Sequence, residues 1–145
     1  VMYSTIIVGI DEEGHSSDVV NAVIDLAKLT RDNVVVVHVQ TLGAPSPGAA
    51  PYVTEDSGQA QALLDKALSL FADAGVSASG RLQRSTVDKV ADVILEVARA
   101  ENAGLIAVGS RGHGDVYGAL FGSTAHKVIH GSSIPVLVHR DTRPE

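Results

Sequence analysis

Residues 109–124, GSRGHGDVYGALFGST, gather glycines and hydroxyl side chains directly after an apolar run, LIAV at 105–108. Glycine at a strand end lets a ligand approach the backbone, and small residues at a helix start leave N–H groups open to an anion. A dinucleotide fingerprint needs G-x-G-x-x-G between a strand and a helix. Gly112-His113-Gly114 opens one here, but Tyr117 stands where the third glycine belongs and Gly118 comes one residue late. A P-loop needs a lysine before its hydroxyl residue. Gly122-Ser123-Thr124 has none, and Lys127 lies a turn further on. His126 and His130 have the spacing of a zinc helix, yet Lys127 occupies the position of its general base. They read as surface histidines, with His130 complementing the negative end of its helix. Ser110 has no G-x-S-x-G elbow around it. What survives is a phosphate cradle in two halves: Gly109-x-x-Gly112 leaving a strand, and Gly122-Ser123-Thr124 entering a helix. Gly114 and Gly118 belong to the bridge between them, which is expected to order when the ligand binds.

The elements that must position this cradle alternate along the chain. STIIVGI at 4–10 reads as a strand running into Asp11-Glu12-Glu13-Gly14, and Ser16 or Ser17 can cap a helix with Val20, Val23, Ile24 and Ala27 on one face. VVVVHVQ at 34–40 has the near-continuous apolarity of a strand covered on both sides. A Pro- and Gly-rich loop over 41–51 leads to a second amphipathic helix through Leu63, Leu64, Ala67, Leu68 and Phe71, closed by Gly75. Residues 76–84 alternate as a weaker strand. Ser85-x-x-Asp88 resembles a capping box opening a third helix, with Ile94, Val97 and Ala98 inward. LIAV at 105–108 is a buried strand, Phe121, Ala125, Val128 and Ile129 mark a last short helix, and IPVLVH at 134–139 a last strand. This βα alternation predicts one α/β domain over 1–145, an open parallel sheet with helices on both faces. Ligands of such sheets bind beyond the carboxyl ends of the strands, where the strand order reverses. His38 and His139 read as strand residues at the sheet ends rather than ligands.

Composition narrows the classes. With no cysteine, disulfides, thiolate metal sites and cysteine nucleophiles are excluded. The net charge of −6 with scattered Lys and Arg argues against nucleic acid, so an anion must be held by backbone N–H groups and helix ends. No apolar stretch approaches the roughly 20 residues of a membrane span, and the first residues lack a basic segment followed by an apolar one. A cytoplasmic location is the expectation.

Gly109, Gly112, Gly122 and Ser123 together resemble the G-x2-G-x9-G-[ST] nucleotide motif of the universal stress protein family. The resemblance spans the chain, from the strand ending at Asp11, through His38-Val39, to PVLV at 135–138. It implies the Rossmann-like, adenine nucleotide alpha hydrolase-like architecture, with five parallel strands in the order 3-2-1-4-5. Resemblance to the ATP-binding branch implies roles by position. Asp11 would meet the ribose side, Val39 would offer backbone groups to the adenine edge, and Gly109 would let the ribose lie against its strand. Gly112 would receive phosphate oxygens, and Gly122, Ser123 and Thr124 would hold phosphates by N–H and hydroxyl groups. ATP would bring Mg²⁺ on its phosphates rather than on protein ligands. Two features depart from the pattern: Glu12-Glu13 follow Asp11 where many relatives have Gly-Ser, and a Gly-x-Pro turn is missing before the third helix.

An apolar edge strand invites a partner. The resemblance implies a homodimer paired through Pro135, Val136, Leu137 and Val138. The function expected is an ATP-binding stress-response module with no catalytic residues and no efficient turnover, though resemblance to some relatives allows slow ATP hydrolysis or autophosphorylation. The alternatives are a module for cyclic AMP or AMP, and a dimeric interaction protein whose nucleotide pocket is unused.

Overall fold

In the computed structural model, residues 1–11, 17–43, 48, 50, 52–53, 56–110 and 122–140 are described. Five parallel strands form the sheet: β1 (Thr5–Ile10), β2 (Asn33–Gly43), β4 (Ala78–Thr86), β5 (Leu105–Gly109) and β6 (Val136–His139). They lie side by side as β4-β2-β1-β5-β6, which is the order 3-2-1-4-5 when the parallel strands alone are counted. A two-residue strand, β3 (Tyr52–Val53), joins the far end of β2 antiparallel. No helix among the described residues is long and apolar enough to cross a membrane.

The period of two along each strand builds two cores. Ile6, Val8, Val34, Val36, Leu105 and Ala107 face α1 (Ser17–Thr30) and α2 (Ser57–Asp73), packing on Val20, Val23, Leu64 and the fully buried Phe71. Ile7, Val35, Val37, Val39, Ile106 and Val108 face α3 (Val90–Ala100) and α4 (Ser123–Gly131), packing on Ile94, Leu95, Ala98, Ala125 and Val128. The apolar run of β2 is thereby explained, since every second side chain enters a different core.

Local signals set the helix ends. Asp56 caps α2 in a true capping box, its carboxylate accepting from the Gln59 N–H while the Gln59 side-chain oxygen accepts from the Asp56 N–H. Gly75, at φ +76°, ends α2 with the Val76 N–H on the Phe71 carbonyl. Asn102, at φ +51°, ends α3 the same way, with the Ala103 N–H on the Ala98 carbonyl.

Two expectations are corrected. Ser85 opens no helix: it lies inside β4, matched to Thr41, and α3 begins after a 3₁₀ turn over Val87–Lys89 without a side-chain cap. Sheet pairing has outcompeted the local capping pattern. The loop expected over 41–51 starts later, because β4 supplies partners to β2 as far as Leu42. Ile129 lies in α4, as expected, and is 40% exposed, whereas Ala125 and Val128 are buried.

Candidate functional site

The strand order reverses between β1 and β5. The helices flanking β1 and β2 cover one face, and those flanking β5 and β6 cover the other. The crevice of such a sheet lies at the carboxyl ends of these two strands. The ladders there run out in steps. Pairing of β1 with β5 ends at Val8 and Ala107, whereas pairing of β1 with β2 continues to Ile10 and His38. β2 then runs on past the end of β1 to Gly43, matched to β4 as far as Leu42 and to β3 at Leu42 and Gly43.

That overhang determines which backbone groups face the crevice. The Asn33 N–H bonds the Ser4 carbonyl, on the β1 side, and the Val34 N–H bonds the Ser77 carbonyl, on the β4 side. Alternation then turns both backbone groups of Val39 toward β1. The register match of Ile10 with His38 assigns the Val39 N–H to the Ile10 carbonyl. The Val39 carbonyl lies one step beyond the last matched pair. Its side chain is buried among the residues of the α3 and α4 core, so only the backbone of Val39 is presented.

Ser110 joins the two glycine halves. Its N–H donates to the His139 carbonyl at 2.8 Å, and its carbonyl accepts from the Gly122 N–H. The end of β5 is thus tied to both β6 and the N-cap of α4, and Gly109 and Gly122 are held at one end of the sheet. Gly122 is the N-cap of α4, in extended backbone at φ −62° and ψ 157°, with no side-chain cap. The first intrahelical bond runs from the His126 N–H to the Gly122 carbonyl. The N–H groups of Ser123, Thr124 and Ala125 precede it and form the positive end of the helix. Ser123 is exposed and Thr124 half-buried, so both hydroxyls can reach a ligand from the rim.

Of the residues singled out from sequence, Asp11, Val39, Gly109, Gly122, Ser123 and Thr124 all fall at this end of the sheet. Asp11 is half-buried immediately after β1. Gly112 and the bridge from His113 to Phe121 lie outside the described residues, as does the Glu12-Glu13 pair. His126 and His130 are exposed, stacked edge to face at 4.4 Å between ring centres, and no cluster of three metal-ligating side chains occurs among the described residues.

Sequence reading gave no role to several buried polar side chains at the same end. His38, 1% exposed, places Nδ1 3.1 Å from the Ile10 carbonyl. Gln40, equally buried, accepts from Arg84 Nε at 3.0 Å, and Arg84 also donates to the Ser57 hydroxyl. The signal available was a polar residue interrupting an apolar strand, but its partner depends on register.

The family model described as "Universal stress protein family" matches residues 2–140. The chain is 27% identical to the universal stress protein Sll1654 of Synechocystis over 138 residues, covering 95% of this chain and 86% of that protein. A universal stress protein of Archaeoglobus fulgidus, solved in complex with dAMP, superposes with a TM-score of 0.72 at 26% identity, over 95% of this chain and 98% of that one. A universal stress protein solved in complex with cAMP shares the fold at a TM-score of 0.74 and 23% identity, over 97% and 98% of the two chains.

Proposed function

The chain belongs to the universal stress protein family, and from that premise we propose that it is a nucleotide-dependent stress-response module binding ATP at the carboxyl ends of β1, β2 and β5. The observation that carries this reading is the clip at Ser110, which sets the uncapped start of α4 beside the end of β5. An anion at that helix start meets N–H donors and a favourable dipole without any lysine clamp. The Val39 carbonyl, beyond the β1 ladder, suits the exocyclic amine of adenine. Asp11, directly after β1, suits ribose hydroxyls, and Gly109 gives the sugar room against the strand. Gly112 completes the phosphate side through the family pattern. The complexes of relatives with dAMP and cAMP support an adenine nucleotide as the class of ligand.

Mg²⁺ would arrive on the phosphate oxygens, its preferred hard ligands. The described residues suit that arrangement, since their contribution at the phosphates is N–H and hydroxyl donors rather than a carboxylate cluster. The chain's own groups bind and orient the nucleotide; none of them is assigned as a base against a phosphoryl centre. Turnover should stay well below the ~1 s⁻¹ of ordinary enzymes. The module would work in the cytoplasm.

Mass analysis of nucleotide released from freshly purified protein, followed by calorimetric titration, tests the site. Gly122→Val should weaken ATP binding by about a hundredfold, a loss comparable to two charge-assisted hydrogen bonds, with the fold retained. Valine accepts the φ and ψ of this position, so the loss would not come from backbone strain. Equal ATP affinity in the variant would sink the assignment. A second reading, cyclic AMP or AMP as ligand, is favoured by the complexes of the two relatives. Competition of ATP against cyclic AMP separates them.

We further propose a homodimer through Pro135, Val136, Leu137 and Val138. Among the described residues β6 pairs only with β5, and its side chains are half-buried. Bonds from Ile106 and Ser110 to the carbonyls of Pro135 and His139 show that odd-numbered residues of β6 face β5, so the Val138 N–H faces the open edge. Val138→Pro removes that outward donor and leaves the bonds to β5 in place. Sedimentation should show a monomer with little loss of helical signal; a persistent dimer would exclude this edge.

A further inference from the structure

We infer that His38 is a positioning residue for the nucleotide site: its Nδ1–H on the Ile10 carbonyl fixes the last peptide of β1 and, through it, Asp11. The inference rests on the nucleotide reading above and deepens it.

A carbonyl oxygen only accepts, so the 3.1 Å contact requires the proton on Nδ1. The ring is thereby set in one tautomer and one orientation. The same oxygen receives the Val39 N–H by register. Two donors then occupy the two lone pairs of the Ile10 carbonyl, one from the backbone and one from a side chain of neighbouring residues in β2. This doubled attachment falls where β1 needs it. Pairing with β5 has stopped at Val8, so Ile10 is matched on the β2 side alone. Asp11 is the next residue and follows whatever the Ile10 peptide does. His38 is 1% exposed on the face that carries Val34 and Val36. It is therefore no candidate for direct contact with solvent-side phosphates. Its place is behind the strand end, holding it.

The tests use two variants of different chemistry. Asparagine carries an amide N–H₂ near the place of Nδ1, whereas leucine fills similar space without a donor. In calorimetric titration with ATP, His38→Leu should weaken binding about tenfold, the size of one hydrogen bond. His38→Asn should stay close to wild type. Asp11→Ala should lower affinity, and His38→Leu added to it should lower it little further, because both changes act through one group. Equal losses in the leucine and asparagine variants, or full additivity with Asp11→Ala, would overturn the role. A second measurement needs no nucleotide. Backbone ¹⁵N order parameters at Asp11 should fall in His38→Leu and hold in His38→Asn, and unchanged order in both would overturn positioning on its own. A wild-type protein that binds no adenine nucleotide would instead defeat the functional reading, leaving the order parameters to decide what His38 does for the strand.

Discussion

The two ends of the sheet handle buried polarity in opposite ways. At the amino end, Asp32 is 3% exposed and its carboxylate accepts from the backbone N–H groups of Met2, Tyr3 and Ser4 at 2.9–3.1 Å. Ser4 and Arg31 beside it hold positive φ angles of 64° and 60°, so the carboxylate secures a tight, strained crossing of two segments. At the carboxyl end, the polar residues His38, Gln40 and Ser110 stand where the ladders stop in steps. One end closes on itself with a charge, and the other keeps backbone groups facing a crevice. With the proposed nucleotide site, stability and ligand chemistry would fall to different ends of the same strands.

Changes at each end should separate these duties. Asp32→Ala should cost about 3 kcal/mol of stability, the scale of charge-assisted bonds to a buried carboxylate, and leave ATP affinity unaltered. Urea unfolding with parallel titration would show it, and a large loss of affinity would break the contrast. Burial pushes the Asp32 carboxyl up. The nearby Thr30 hydroxyl and the N–H groups of Tyr3, Ser4 and Met2 outweigh that and hold it below the usual carboxylate range. A depressed folded pKa gives stability that is complete above the unfolded value of about 3.9 and fades as pH falls through the folded one. The stability gap between wild type and Asp32→Asn should therefore narrow in acid. An unchanged gap would mean that the charge of Asp32 contributes nothing.

A smaller effect is expected from Arg84→Ala at the opposite end. It removes the donors to Gln40 and Ser57 and should cost about 1 kcal/mol. A loss of nucleotide affinity in the same variant would extend the ligand site toward β4. The smallest is expected at the surface of that same end: Lys89, closing the 3₁₀ turn after β4, and Asp92, in the first turn of α3, form an exposed pair at 3.8 Å. Asp92→Ala should shift the unfolding midpoint within error, as exposed pairs do.

The sequence carried the alternation of elements for one physical reason: β-branched runs favour extended backbone and glycines punctuate it, and both signals are local. Val34–Val37 could be little else than a covered strand, and Gly75 little else than a helix stop. The strand order came from resemblance, since no local feature encodes it. Ser85 misled because its capping pattern is local and its pairing with Thr41 is not. The box at Asp56 and Gln59, equally local, went unread beside a Pro-rich loop. At the site, Asp11 and Val39 could be placed at strand ends, but the group Val39 presents depends on the register of Ile10 with His38. The clip at Ser110 is made by main-chain atoms, which any residue carries, so no side chain announced it.

The paired turns at Gly75 and Asn102 have a consequence for the unfolded chain. Both close a helix in the same left-handed geometry, one on each face of the sheet. Glycine enters that geometry without steric penalty but gives up more conformational freedom on folding. Asparagine gives up less and accepts some strain in the folded state. The native shape of the turn is the same twice over, yet one copy draws its cost from the entropy of the disordered chain and the other from the enthalpy of the ordered one. Heating should weigh on the first more than on the second.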